Sequence, residues 1–238
     1  MSRKLSDLGF NKDPDFDNTP IWNALAACGP SRVEVDGVYT FKTRPNPISR
    51  PMRFEGETIN SSGFRRDYHP TTSTEVFLDF CQTCRVDGVA VTAHSGEGGI
   101  GARFHGLSAS ASVLRDAYIT AQAGANWLVA LNYWSADPLG IRSCLAQNVE
   151  LFASSAHVLW VCNAKGLTLD NVNCYPAGGT SRHATVQGVN GHRSAKIRWT
   201  TRYLEKVWVY DTDDLLIDAL DPVEIVPSSS TEIIQRGG

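Results

Sequence analysis

The 238-residue sequence lacks several features that would assign it to a well-defined class of protein. It has no run of about 18 consecutive apolar residues and no apolar segment near its start, so neither membrane insertion nor a signal peptide is predicted. It has no Lys/Arg-rich tract, and its net charge is −3, which argues against nucleic acid as a partner. Phosphate-loop and dinucleotide fingerprints are also missing, so no cofactor is expected. The sequence therefore predicts a protein made in a cytoplasm without an export signal.

Cysteine is too scarce for a disulfide scaffold, with six residues in the chain. The one close pair is Cys81 and Cys84, which lacks both a second pair and well-spaced histidines, so no metal site is predicted. Cys144, Cys162 and Cys174 lie in apolar, strand-like runs, where cysteine behaves as a small apolar residue. We expect these thiols to be free and buried.

A clear helix signal occurs at one place, near the start of the chain. Residues 1–16 are polar and are expected to form a mobile or partner-docked arm. Residues 17–20, Asp-Asn-Thr-Pro, then supply capping side chains followed by a proline at a first-turn position. Apolar residues recur at helical spacing after them until Gly29-Pro30 ends the pattern. This predicts one amphipathic helix of about three turns.

A loose repeat occupies the chain from the helix to about residue 220. Each copy begins with a polar or small pair and continues with alternating apolar residues, as in Asp87–Ala93, Asp116–Ala121, Gln147–Ala153 and Asp170–Tyr175. With weaker copies around Ile197 and Leu216, the mean spacing is about 25 residues, within the range of repeat architectures. A second short strand precedes each copy, so each unit has two or three strands joined by turns.

Units of this size cannot bury their own apolar faces, and stacking them ~4.8 Å apart closes a continuous core. The predicted fold is all-β: a right-handed parallel β-helix of about seven rungs, with the short helix as its N-terminal cap. It spans residues 17–220, between the arm at 1–16 and a tail at 221–238. A β-sandwich is the alternative, although its strands need not resemble one another as these copies do.

Residues 17–41 carry a resemblance to a known family. Their capped helix, the Gly29-Pro30 turn and the strand ending in Gly37-Val-Tyr39 resemble the N-terminal module of pectate-lyase-like β-helices, which include bacteriophage tailspikes and related virion proteins. The Gly29-Pro30 turn is thinner than the glycine run of that family. The resemblance implies a helix that covers the open end of the column and hides strand edges that would otherwise aggregate. It says less about function, because one fold hosts many activities.

Carboxylates are the candidate catalytic groups. Polysaccharide hydrolysis usually needs two carboxylates about 5–10 Å apart, whereas lyase chemistry needs a base and cations. Asp87, Asp116 and Asp170 recur at equivalent positions, and residues 211–214 hold three more aspartates. Turn chemistry explains the recurrent aspartates and a solvated turn explains the cluster, so no catalytic residue is assigned. Asp170 with Asp116 or Glu150, and the cluster, are where an active site would lie.

Aromatic residues are concentrated in the second half of the chain, which holds five of the six tryptophans. The interior of a β-helix is narrow and favours smaller apolar side chains, so several aromatic residues are expected on the outer faces. Tyr133, Trp134, Trp199 and Trp208 are the predicted contact residues, either for a neighbouring subunit or for a glycan.

The pattern changes after Leu220, where Pro222 and Pro227 interrupt the strands and residues 231–235 offer one more. Such a tail folds back over the last rung or crosses to a neighbouring subunit, as tails do in the virion proteins that this chain resembles; crossing is the preferred hypothesis. The predicted function is a structural component of a bacteriophage virion: a fibre, spike or capsid-decoration subunit. It is expected to form a homotrimer, contact other virion proteins and touch host surface polysaccharide. A polysaccharide lyase or glycoside hydrolase is the alternative, and a sugar-binding module outside any particle is the third hypothesis.

Overall fold

The computed structural model describes residues 2–122, 125–153, 157–176, 182–227 and 233–236. Among them it has one α-helix, α1 (Thr19–Cys28), and two short 3-10 turns at Ser6–Leu8 and Leu107–Ala109. In chain order the strands are β1 (Arg3–Lys4), β2 (Arg32–Val35), β3 (Val38–Phe41), β4 (Met52–Gly56), β5 (Gly63–Asp67), β6 (Val76–Phe80), β7 (Cys84–Asp87), β8 (Ala90–Ser95), β9 (Ile100–His105), β10 (Val113–Ala121), β11 (Val129–Trp134), β12 (Ile141–Arg142), β13 (Leu145–Ala153), β14 (His157–Cys162), β15 (Ala164–Lys165), β16 (Thr168–Pro176), β17 (Arg182–Gln187), β18 (Ser194–Thr201), β19 (Lys206–Tyr210), β20 (Thr212–Ala219), β21 (Glu224–Pro227) and β22 (Ile233–Arg236).

The strands stack in parallel along a single column. The first face consists of β2, β4 and β7, the leading parts of β10, β13 and β16, the trailing parts of β18 and β20, and β22. The second face adjoins it around a corner and consists of β3, β5, β8 and the trailing parts of β10, β13 and β16. The third face is a separate sheet of β6, β9, β11, β14, β17, β19 and β21. Since each turn of chain visits the faces in this order, the fold is the parallel β-helix that the repeat predicts.

The inward side chains of all three faces form one continuous core. Toward the N-terminal end the core is aromatic: Phe104 stacks on Phe80 and on Tyr133, with ring centroids 5.1 and 5.2 Å apart. Toward the C-terminal end it is mostly aliphatic. Removing each large apolar side chain from water contributes roughly 1.5–3 kcal/mol, which is the main force that holds the turns together. Cys144, Cys162 and Cys174 are free and buried, as predicted.

Helix α1 covers the N-terminal end of the column, also as predicted. The Asp17 carboxylate accepts hydrogen bonds from the Thr19 amide at 3.0 Å and from the Thr19 hydroxyl at 2.6 Å, which fixes the start of the helix. Trp22 points inward from the helix and is fully buried against aromatic rings of the first turns. Within the described residues, no helix has the length and apolar character that a bilayer crossing requires.

The N-terminal segment differs from the arm expected at residues 1–16. Strand β1 pairs with β2, and Leu5 and Phe10 are buried. The Asp36 carboxylate holds the segment in place, since it accepts hydrogen bonds from the Ser6 amide at 3.2 Å and from the Ser6 hydroxyl at 2.6 Å. The described part of this segment is therefore a further layer on the first turn of the column. Its two buried apolar side chains supply the driving force.

The C-terminal segment continues the column. Strand β21 pairs with β19, and β22 pairs with β20 in the register Leu215 to Ile233. The described strands of residues 221–238, β21 and β22, are thus paired within their own chain, which differs from the expected crossing to a neighbour. Residues 228–232 and 237–238 lie outside the described residues. The first face has nine successive strands from β2 to β22. The column is therefore longer than the rung number of about seven that the repeat predicts.

Candidate functional site

The corner between the first and second faces is built from residues with unusual backbone angles. Gly88, Asp116, Asn148 and Asn171 occupy this corner in successive turns, with φ of 66°, 47°, 53° and 53°. Most side chains disfavour this left-handed conformation, but asparagine and aspartate tolerate it because their short polar groups bond to nearby backbone. The recurrent Asp/Asn of the sequence repeat therefore marks the position where each turn bends.

The corner side chains form a hydrogen-bonded amide column, defined as Asp116, Asn148 and Asn171. The Asn148 amide donates to Asp116 Oδ1 at 2.9 Å, and the Asn171 amide donates to Asn148 Oδ1 at 3.1 Å. The register that aligns Ala117 with Val149 and Val149 with Val172 places these groups one above another. The column therefore offers carboxylate and amide groups at about the ~4.8 Å spacing of the strands.

Two further carboxylates flank the amide column, and both accept hydrogen bonds from neutral groups. Asp170 accepts from the Gln147 amide at 2.7 Å and from the Thr200 hydroxyl at 2.9 Å. Glu150 accepts from the Asn173 amide at 2.9 Å. Asp116 and Glu150 thus line the same part of the corner, whereas Asp170 precedes the corner residue Asn171 and is not among the lining residues. Their hydrogen bonds fix them as oriented acceptors.

A row of aromatic rings lies on the second face beside the column. We define the aromatic row as Tyr118, Phe152, Tyr175 and Tyr203. Neighbouring ring centroids are 5.2, 4.6 and 4.6 Å apart along the row, and the rings of the last two pairs are stacked with their planes nearly parallel. Burial, together with a hydrogen bond to Glu150, raises the pKa of the Tyr175 hydroxyl to about 12, so this group stays protonated and donates a hydrogen bond to Glu150.

The amide column borders a long depression, which we call the corner groove, and the aromatic row lies beyond it on the second face. One part, with a volume of about 780 Å³, is lined by Asn148, Asn171, Thr200, Thr201, Arg202, Asp218, Ala219 and Leu220. The other part, of about 500 Å³, is lined by Gly56, Glu57, Thr58, Ile59, Asp87, Gly88, Asp116, Ala117, Asn148 and Glu150. Asn148 lines both parts, which therefore adjoin at this residue, and we describe them together as one groove. It spans the strands from β4 to β20, six strand spacings or roughly 29 Å.

Two of the four predicted contact residues are not on the surface. Tyr133 is 0% exposed and Trp199 is 1% exposed, so their predicted place on an outer face is wrong. Tyr133 stacks inside the column on Phe104, and the Trp199 indole donates to the Val172 carbonyl at 2.9 Å. The interior is wider than expected, and an aromatic ring gains more from complete burial than a smaller side chain does.

Trp134 and Trp208 lie on the outer side of the third face, and Trp160 lies between them. All three are partly exposed. Arg103, Asn132, Trp134 and Trp160 line a hollow of about 200 Å³ on this face. That Trp134 and Trp208 contact a neighbouring subunit or a glycan stays a prediction.

The aspartates at residues 211–214 lie at another corner, between the third and first faces. Asp213 pairs with Arg193 at 2.7 Å, and Asp214 pairs with Arg198 at 2.9 Å. Asp214 also occupies a left-handed bend, with φ of 52°. The structure does not bring this cluster to the corner groove.

Sequence reasoning missed the aromatic row and the role of the asparagines. A signal for both was present, because Phe152 and Tyr175 each follow the corner asparagine of their own turn by four residues. Only the strand register shows that this recurrence stacks the rings. The sequence therefore indicates the separate residues but not their arrangement as one site.

Fold and groove together define a parallel β-helix protein with a long polar groove along one corner and a row of aromatic rings beside it. Neither a protein-family model nor a curated protein sequence matches the chain. Among solved structures it is similar to the catalytic unit of a thermostable GH87 α-1,3-glucanase from Streptomyces thermodiastaticus strain HF3-3, with a TM-score of 0.53 and 12% identity over 92% of this chain and 53% of that one. At this identity the similarity shows the fold alone.

Two weaker matches were also found. Tailspike protein 3 of bacteriophage CBA120 has a TM-score of 0.36 and 11% identity over 98% of this chain and 54% of that one. PfbA, a surface adhesin of Streptococcus pneumoniae, has a TM-score of 0.34 and 8% identity over 98% of this chain and 62% of that one. The chain thus spans little more than half the length of the structures that it matches.

Proposed function

We propose that this protein is a structural β-helix that binds a neutral glycan chain along the corner groove, as a component of a bacteriophage-type virion. The observation that carries the glycan proposal is the amide column beside the aromatic row. Carboxylate and amide groups bond to sugar hydroxyls, and the partly exposed edges of the stacked rings offer apolar contact to a sugar chain. A groove that crosses six strand spacings suits an extended polymer better than a small compact ligand.

The charges of the groove favour a neutral glycan over an acidic one. Among its described lining residues, Glu57, Asp87, Asp116, Glu150 and Asp218 are acidic, whereas Arg202 is the one cation. A polymer of uronic acids would bring carboxylates close to these groups and would be repelled. Lyase chemistry needs cations near a uronate carboxylate, so the same charges disfavour the lyase alternative.

Binding can be tested with soluble neutral and acidic polysaccharides by isothermal titration calorimetry. Tyr175→Ala removes one of the two inner rings of the aromatic row and is expected to weaken binding of a neutral glycan by about tenfold, which corresponds to about 1.4 kcal/mol. Tyr210→Ala is the matched control, because Tyr210 is a partly exposed tyrosine on the third face that stacks on Trp208. Equal losses in both variants, or tighter binding of acidic than of neutral polymers, would contradict the proposal.

The virion role and the trimer are supported by the N-terminal module, which resembles that of phage virion proteins, and by the third face. Trp160 and Trp208 lie on that face in one row with Asn132 and Thr185. Partly exposed tryptophans on a flat sheet are typical of subunit contacts. Light scattering of the purified chain is expected to give three times the mass of 26.0 kDa. Trp208→Arg should reduce it to one chain, and a monomeric wild type would refute the trimer.

Glycoside hydrolysis is the second candidate function, because Asp116 and Glu150 line the same part of the corner and Asp170 precedes the corner residue Asn171. Both oxygens of Asp170 already accept hydrogen bonds, which does not favour a free nucleophile or general acid. Asp170→Asn and Asp116→Asn distinguish the two candidates once a bound glycan is known. If wild type shortens that glycan and either variant binds it but leaves it intact, the protein is a hydrolase. If wild type leaves it intact, the binding function stands.

A further inference from the structure

Three side chains of different chemistry converge at the edge of the third face, away from the corner groove. Asp79 lies near the end of β6, Cys81 follows that strand, and His105 ends β9. The register pairs Asp79 with Arg103, so β9 stacks directly on β6. A sequence separation of about one repeat thus becomes a contact between neighbouring turns, which is why the cluster is not apparent from spacing along the chain.

The distances between the ligand atoms are close to those around a bound metal ion. His105 Nδ1 lies 3.7 Å from Cys81 Sγ and 3.8 Å from Asp79 Oδ1, and the three ligand atoms all lie within 4.8 Å of one another. Bonds of 2.0–2.3 Å at a tetrahedral angle would place zinc ligands on the order of 3.5 Å apart. Both distances from His105 Nδ1 are therefore close to the separation of two ligand atoms on one ion.

Arg103 holds the carboxylate in position. Its Nε donates to Asp79 Oδ1 at 3.0 Å, and its Nη2 donates to Asp79 Oδ2 at 2.6 Å. The Asp79 side chain is only 6% exposed, so this grip fixes a charge that would otherwise be costly to bury. A carboxylate oxygen has further lone-pair sites, so Asp79 can hold Arg103 and a metal ion together. Such outer partners commonly orient metal ligands.

We propose that Asp79, Cys81 and His105 bind one Zn²⁺ ion, with water as the fourth ligand. A thiolate, an imidazole and a carboxylate are ligands that zinc accepts, whereas calcium and magnesium prefer oxygen ligands alone. Cys81 and His105 are partly exposed, which leaves the fourth position open to solvent. On binding, Cys81 loses its proton to solvent and its sulfur forms the bond to the metal. The ion would link the second and third turns of the column.

Cobalt is the probe for this site, because Co²⁺ accepts the same ligands and reports them by absorption. We expect the full chain, freed of metal with a chelator, to bind one Co²⁺ with a thiolate-to-cobalt charge-transfer band that Zn²⁺ abolishes. Cys81→Ser should remove the band and weaken binding at least tenfold. Cys28→Ser is the matched control, since Cys28 is an exposed free cysteine on α1 outside the cluster; it should leave both unchanged.

Two outcomes would overturn the proposal: no Co²⁺ bound by the wild type, or a Cys81→Ser variant with the wild-type band and affinity. Should Cys81→Ser fail to fold, His105→Gln and Asp79→Asn provide the test. Each keeps the thiolate and is expected to keep a shifted band with at least tenfold weaker binding. Unchanged affinity in both variants would refute the site.

Discussion

Replacing Trp22 by alanine is expected to destabilise the N-terminal end of the column more than any surface substitution. Trp22 is fully buried, and its ring lies 5.3–5.5 Å from those of Phe41, Phe54 and Phe64. Its indole donates to the Asn46 carbonyl at 2.9 Å. Truncation of a buried tryptophan to alanine costs about 3–5 kcal/mol, which includes the cavity left behind.

That loss is large compared with the stability of a typical domain, about 5–15 kcal/mol. Urea unfolding followed by far-UV circular dichroism measures it. Trp22→Phe keeps a ring against Phe54 but loses the bond to Asn46, so an intermediate loss of about 1–2 kcal/mol is expected. Trp134→Ala, on the outer side of the third face, is the control, with a loss of about 0.5 kcal/mol.

The reasoning fails if Trp22→Ala lowers the free energy of unfolding by less than about 1 kcal/mol, because a cavity of that size in a packed core destabilises a protein by more than this. It also fails if Trp134→Ala loses as much as Trp22→Ala. Either result would mean that α1 does not cover the column as its contacts indicate.

Further predictions concern two tyrosines and one histidine. Within the described residues the buried Tyr133 hydroxyl has no hydrogen-bond partner, so Tyr133→Phe should raise the free energy of unfolding by about 1 kcal/mol. Tyr39→Phe removes a donor to Asp36 and should lower the free energy of unfolding by about the same amount. Urea unfolding of both variants is the test, and changes of opposite sign are expected. His183 is buried, and burial lowers its pKa from 6.5, although the Glu205 carboxylate opposes this shift. Its Nδ1 accepts from the Glu205 amide at 3.1 Å, so only the neutral ring fits. The stability from neutral His183 is present above pH 6.5 and is lost as the pH falls through the lowered folded-state pKa. His183→Gln should therefore reduce the loss of stability between pH 7.5 and 5.5, and an unchanged pH profile would contradict this.

Local signals in the sequence predicted the elements that depend on local chemistry. The start of α1 is marked by the bond from the Thr19 amide to the nearby Asp17 carboxylate, and each corner is marked by a residue that tolerates a left-handed backbone, such as Asn148 or Asn171. Both signals act within a few residues, so the helix and the repeat were readable directly from the chain.

Features that depend on register could not be predicted in the same way. Tyr133 and Trp134 are adjacent in β11, so the alternation of a strand sends one ring inward and the other outward. The sequence does not say which, and both were expected outside. The N-terminal segment presents a similar difficulty, since Leu5 is buried by a part of the chain about thirty residues away, as its bond to the Glu34 carbonyl indicates. Contacts of that range leave no periodic trace in a polar stretch.

The amide column indicates how the length of the groove can change in such a protein. The register that stacks Asn171 on Asn148 repeats the same hydrogen-bonding side chain at the corner of successive turns. The same register stacks Phe152 on Tyr175. Duplicating one turn would lengthen the groove by ~4.8 Å and leave the existing contacts intact, because each turn touches only its neighbours. The number of turns in the β-helix would thus set the length of the groove, and with it the number of polymer units that bind at once.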